Sequence, residues 1–324
     1  AGLFVFVLGV SSTVFLLVVG LIVTQFWFNT ALGPYQALIR DLAPRVRRGV
    51  ASSFKVMADS SGGAISLILV AFLLGEYAEV KSPLWLWLSL GVISFTLVAS
   101  AGWTVLGIRN KKVRSNHSTE PLPYDTRSVT NHQFGWFLGS RFCTVAALSI
   151  LRTYAVFYLR DALGVTNSAQ AVGIMTLVAG GCLLLIAYPA GRLSDRIGRK
   201  RIIMASALLG GVGVVMLLFA TSFLQVILVG CLLGAAAGAY FSASFALASD
   251  MVPSDHTARQ MGIANTAAIG GTALANLAGP GVDLLNRVGD NLGYSTLLVA
   301  SVLLFGLGAL LLYPLGSSAA SRPT

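Results

Sequence analysis

The residues able to do chemistry in this chain are charged or amide side chains set inside long apolar runs. Asp59 is the one acid well inside such a run. Arg141, Thr144 and Arg152 share a helical face in another, with Ser149 at its edge. Gln25, Asn29, Gln36 and Arg40 recur at helical spacing in a third, and Asn265, Thr272 and Asn276 in a fourth. A central Arg or Asp costs roughly 2.5–3.5 kcal/mol to place in a bilayer on insertion scales, so each is expected to face a protein interior or a polar cavity. Groups placed in this way bind solutes or move protons. No nucleophile–base set, zinc-ligand spacing or phosphate-cradling loop accompanies them, so the chain reads as no enzyme, with no cofactor and no metal. Cys143, Cys182 and Cys231 lie in apolar runs without CxxC spacing, and read as small core residues.

The elements that must position these groups are membrane-spanning helices. The chain is 56% hydrophobic and 10% charged, with a mean hydropathy of +0.80. A soluble domain of 324 residues could not hide that much apolar surface. The formal net charge of +10 sits in short connections between apolar runs, which argues against a nucleic-acid partner. The predicted class is an all-α polytopic membrane protein. Ser11-Ser12-Thr13 separates a half-length run from a full one. Full spans are predicted at 14–40, 51–75, 83–108, 136–159, 169–190, 202–221, 224–249, 258–280 and 294–315. Pro34 should kink or loosen the first of them. Residues 1–108 then form the remainder of one helical half, 109–134 a linker, 135–316 a second half, and 317–324 a tail. Lys and Arg concentrate in alternate connections, which puts 110–134, 191–201 and the C-terminus in the cytoplasm. By depth, Arg141 lies near the cytoplasmic end of its span and can snorkel, whereas Arg152 lies deeper and cannot do so easily. Asp59 either pairs with Lys55, four residues earlier, or carries a proton. The polar face at Asn265, Thr272 and Asn276 either lines a cavity or makes packing hydrogen bonds.

One connection is more specific than the rest. Gly191-Arg192-Leu193-Ser194-Asp195-Arg196-Ile197-Gly198-Arg199-Lys200-Arg201 lies between two apolar runs. Its two glycines are expected to make a tight turn. Asp195, the one acid among the cations, is placed to cap a helix N-terminus or to pair with an arginine. The pattern G-x-L-x-D-R-x-G-R-[RK], matched by Gly191, Leu193, Asp195, Arg196, Gly198, Arg199 and Lys200, resembles the signature loop of the major facilitator superfamily of transporters. A repeat supports that resemblance. Asp41, Pro44, Arg47, Gly49 and Ala51 are echoed by Asp250, Pro253, Arg259, Gly262 and Ala264. Thr13 lies 28 residues before Asp41, and Ser222 lies 28 before Asp250. Two similar halves in one orientation are a parallel-repeat architecture.

The resemblance implies a secondary transporter that exposes a central site to each side alternately. It also implies that the chain lacks two helices, part of a third and the first signature loop. Consistent with that, the sequence opens in an apolar run and its first methionine is Met57. Residues 29–44 resemble the fourth helix of the sucrose-type proton symporters, with Arg40 where a proline is expected. The implied partners are a small, sugar-like solute, protons and the lipid bilayer of the cell membrane, and the implied state is a monomer. The candidate solute or coupling residues are Arg152, Asp59, Gln25, Asn29, Gln36, Asn265 and Asn276. A drug-type proton antiporter on the same fold, or a membrane receptor that no longer transports, are the rival readings.

Overall fold

The computed structural model describes residues 2–11, 13–80, 82–109, 132–165, 167–251 and 257–315. Of the expected linker, 109–134, residues 110–131 lie outside the described residues, as does the expected tail, while 109 closes one helix and 132–134 open the next. The described residues fold into α1 (Gly2–Val10), α2 (Val14–Leu42), α3 (Arg48–Val80), α4 (Pro83–Arg109), α5 (His132–Phe157), α6 (Ser168–Ile197), α7 (Arg199–Leu218), α8 (Phe223–Met251), α9 (Thr257–Leu277), α10 (Gly279–Val288) and α11 (Leu292–Leu310). Eight of the helices are long and apolar enough to cross a membrane. Nine full spans are expected from the sequence; the region 258–280 forms α9, which ends at Leu277 before Pro280 in α10 and is not among the eight. The break predicted at 11–13 separates α1 from α2, and α2 runs unbroken through Pro34.

Several hydroxyls inside these apolar helices satisfy themselves locally. Thr96 Oγ1 donates to the Val92 carbonyl at 2.7 Å, Thr104 to Ser100 at 2.8 Å, and Ser301 to Leu297 at 2.8 Å. Such bonds to the preceding turn satisfy these hydroxyls in a low-dielectric setting, so a long apolar run tolerates serine and threonine.

The chain divides into two compact units, Ala1–Leu42 with Ala58–Leu122, and Ala43–Met57 with Pro123–Thr324. In the first, α1 packs against α2 and α4. Phe4 stacks on Trp27 with ring centroids 6.4 Å apart, and Phe6 on Trp87 at 6.3 Å. In the second, α8 packs on α6 and α7, while α5 packs on α9 and α11. Small residues on α8, among them Gly234 and Gly238, meet the α6 backbone at Ala179 and Leu183, which permits helix contact without intervening side chains. One core cluster gathers Phe137, Tyr240, Leu247, Met261 and Leu312; another gathers Leu159, Val214, Val226 and Phe305. A π-helical turn, Tyr158–Ala162, closes α5. Its Asp161 accepts the Tyr294 hydroxyl at 2.5 Å, which fixes that end of α5 to α11.

Candidate functional site: a latch around Asp195

The Gly191–Arg201 stretch is not an open loop. Helix α6 continues to Ile197 and α7 begins at Arg199, so Gly198 alone makes the connection. Gly198 has φ 102°, which L side chains rarely adopt. Gly191, expected in the turn, lies instead inside α6. A Cβ there would fall 2.5 Å from the Gly49 carbonyl oxygen and 2.9 Å from the Ser53 side chain, so glycine serves close approach of α6 to α3.

That approach delivers the Asp195 carboxylate to the start of α3. Its Oδ1 accepts the Gly49 amide at 2.8 Å, and its Oδ2 accepts the Val50 amide at 3.1 Å. The first amides of a helix have no intrahelical acceptor and carry the positive end of its dipole, so a carboxylate is a fitting partner. The sequence left Asp195 either to cap a helix or to pair with an arginine. It does both: Arg199 Nη2 lies 3.4 Å from Oδ1.

Arg199 carries the network to α8. Its Nη1 pairs with Asp250 Oδ2 and donates to the Ala246 carbonyl at 2.9 Å, while Nη2 donates to the Arg45 carbonyl at 2.7 Å. Asp250 also accepts Arg48 Nη1 at 2.8 Å. Arg48 Nε in turn reaches the Ala43 carbonyl at 3.3 Å. Two carboxylates thus balance two guanidinium groups. The Arg199 and Asp195 side chains are 9% and 8% exposed, so the network is shielded from solvent. Arg45 lies 4.0 Å from Asp250 but is 72% exposed, so it adds little. Lys200 is separate: its Nζ donates to the Tyr313 and Leu315 carbonyls at 2.8 and 2.5 Å, seating the turn after α11. Leu193 and Arg196 face outward.

The repeat is only partly built into the latch. Gly49 and Asp250 belong to it, whereas Asp41, Pro44, Arg47 and Arg259 are exposed. Pro253 lies outside the described residues. A Cβ on Gly262 would meet nothing within 4 Å, unlike one on its counterpart Gly49.

The expected polar faces fare differently. Ser149 and Thr272 hydroxyls lie 3.1 Å apart, and Thr153 donates to Asn276 Oδ1 at 3.3 Å. That face of α9 therefore makes packing hydrogen bonds to α5, with Asn265 half-buried on α9. In the first unit, Asn29 donates to the Gln25 carbonyl of its own helix at 2.9 Å, Gln36 is buried, and Gln25 and Asp59 are exposed. Arg152 is exposed on α5.

Arg141 does not snorkel. It is 2% exposed, donates from Nη1 to Ser244 Oγ at 2.8 Å, and lies 4.7 Å from the centre of the Phe245 ring. Helix α8 covers it, which depth along α5 could not reveal.

Against known proteins, the profile of the Major Facilitator Superfamily matches residues 137–323. The chain belongs to that superfamily. Of the residues quoted from the Gly191–Arg201 stretch, Gly191, Asp195 and Arg199 build the latch of this major facilitator protein, whereas Leu193, Arg196 and Lys200 do not; its fold class is that of a transporter family whose members are not enzymes. Among curated proteins, none matches the sequence. Among solved structures, a bacterial homologue of the iron transporter ferroportin in an outward-facing state is similar, with a TM-score of 0.60 and 18% identity over 92% of this chain and 69% of that one. The proton:xylose symporter XylE, bound to 6-bromo-6-deoxy-D-glucose, is similar with a TM-score of 0.57 and 16% identity over 85% of this chain and 65% of its own. At these identities the likeness concerns the fold.

Proposed function

We propose that this major facilitator protein carries a small solute across the cell membrane by alternating access, coupled to protons, with the Asp195 latch on the cytoplasmic side controlling the exchange of states. The observation that carries the reading is the double acceptance of the Gly49 and Val50 amides by Asp195, together with the shared Arg199. These contacts hold the first turn of α3 to the ends of α6, α7 and α8. A state in which α3 moves away must break them all together. A set of charge-assisted bonds that closes and opens as one unit makes a two-state element of the kind alternating access needs. The concentration of Lys and Arg at this end supports the cytoplasmic placement. The likeness of residues 29–44 to sucrose-type symporters supports coupling to protons.

The test is uptake by the full-length protein in proteoliposomes under an imposed proton gradient. A panel of sugars, sugar acids and small carboxylates is offered. Accumulation that collapses when the gradient is dissipated is expected. Equal uptake in protein-free vesicles for every member of the panel would overturn the reading.

A further inference from the structure

We infer that the buried guanidinium of Arg141 receives a carboxylate group of the carried solute. This rests on the carrier reading above and names the class of its substrate. Arg141 is the tenth residue of α5, about 14 Å along the axis from His132. It is enclosed by α5 and α8, yet its hydrogen bonding is incomplete. Its one hydrogen bond to a described residue runs from Nη1 to Ser244 Oγ, and its Nε has no partner. Thr144 Oγ1, three residues on, is buried too and faces the Tyr240 hydroxyl, which also lies near Arg141. No ion pair among the described residues involves Arg141, in contrast to the latch, where each arginine has an acid.

A guanidinium does not shed its proton in proteins, so burial does not neutralise it. A buried cation without a counter-charge is far more costly than a buried neutral group. The Ser244 hydroxyl and the Phe245 ring offset part of that cost as dipole and quadrupole. The same ring also has the Lys55 ammonium 4.4 Å from its centre. A neutral sugar would add hydroxyl dipoles and no charge. A carboxylate supplies the missing charge, and its two oxygens match the guanidinium edge that carries the unpartnered Nε. The Thr144 hydroxyl is then a neutral donor beside the same group.

The experiment compares sodium lactate with its neutral isostere lactamide on the full-length protein in lipid nanodiscs. Ionic strength is held constant with sodium chloride, and thermal unfolding is followed by tryptophan fluorescence. Lactate is expected to raise the midpoint with an apparent affinity roughly ten- to hundred-fold above that of lactamide. Arg141→Gln should erase the difference, and Arg287→Gln, an exposed cation elsewhere, should keep it. Should Arg141→Gln fail to fold, Ser244→Ala removes only the group that holds Nη1, and should weaken lactate several-fold. Equal responses to lactate and lactamide in the parent protein would overturn the proposal, as would a lactate preference that survives Arg141→Gln. Gradient-driven uptake without any lactate preference leaves the carrier reading standing and removes this one. Arg141-dependent lactate binding without uptake of any solute does the reverse.

Discussion

Gly49 and Gly191 face each other across the contact of α3 with α6, each placed where the other's carbonyl oxygen leaves no room for a Cβ. The contact is backbone against backbone, and it sets the distance at which Asp195 reaches the Gly49 and Val50 amides. A flexible side chain could yield to a new methyl group; two carbonyls in helices cannot.

Gly191→Ala is therefore expected to destabilise the protein by about 1–3 kcal/mol, the usual cost of overpacking. Gly262→Ala, at the matching position of the repeat, meets open space in a helix and should be neutral or stabilising by up to about 1 kcal/mol. Thermal unfolding of the two variants in one detergent measures the contrast. Equal destabilisation would mean that the close approach of α3 and α6 is not rigid.

Asp195→Asn keeps the size of the side chain and removes its charge. One amide oxygen replaces two carboxylate oxygens, and the pairing with Arg199 is lost. A charged hydrogen bond is worth about 1.5–3 kcal/mol, enough to shift a two-state equilibrium more than ten-fold. Maximal uptake should fall while the concentration giving half-maximal solute binding changes little. An unchanged uptake rate would remove the latch from the transport cycle.

Asp250 is the acid that serves both arginines of the network. Asp250→Asn leaves Arg199 and Arg48 facing each other with less compensation, and a loss of about 3–5 kcal/mol is expected, as for a broken buried pair. Arg48→Gln leaves the Arg199–Asp250 pair intact and should cost less. Combining the two changes should cost less than their sum, because the second removes the charge that the first stranded. Additive losses in unfolding midpoints would show that the arginines do not share the acid.

Sidedness is tested with single cysteines at two exposed positions of the second unit, in a background without native cysteines. Arg201→Cys is expected to resist an impermeant thiol reagent added to intact cells, and Asp290→Cys to react with it. The opposite pattern would invert the assigned orientation.

Much of the fold was legible because apolar runs long enough to span a bilayer leave a chain few alternatives to helices. The boundaries near Ser11–Thr13 and Pro83 followed from polar residues and proline. The latch was legible in type but not in partner. Asp195 announced itself as a capping acid, while the helix it caps begins at Arg48, far away in the sequence. Gly191 was misread as a turn residue because a glycine beside a polar connection looks the same whether the chain bends or another backbone approaches. Arg141 and Arg152 fall on one stripe of α5, and depth alone put the first in water. Helix α8, through Ser244 and Phe245, covers that end of the stripe and not the other. Which neighbour covers a face is a tertiary fact, and helical periodicity carries no trace of it.

Lys200 bears on how the latch could be watched. Its ammonium sits on two carbonyls of the turn that follows α11 and lies 5.7 Å from the Tyr313 ring, which is itself 76% exposed. The ring is thus an outward-facing neighbour of the residue that follows Arg199. A fluorophore attached there would touch none of the latch donors or acceptors. The turn after α11 is in this sense an exposed attachment point outside the latch.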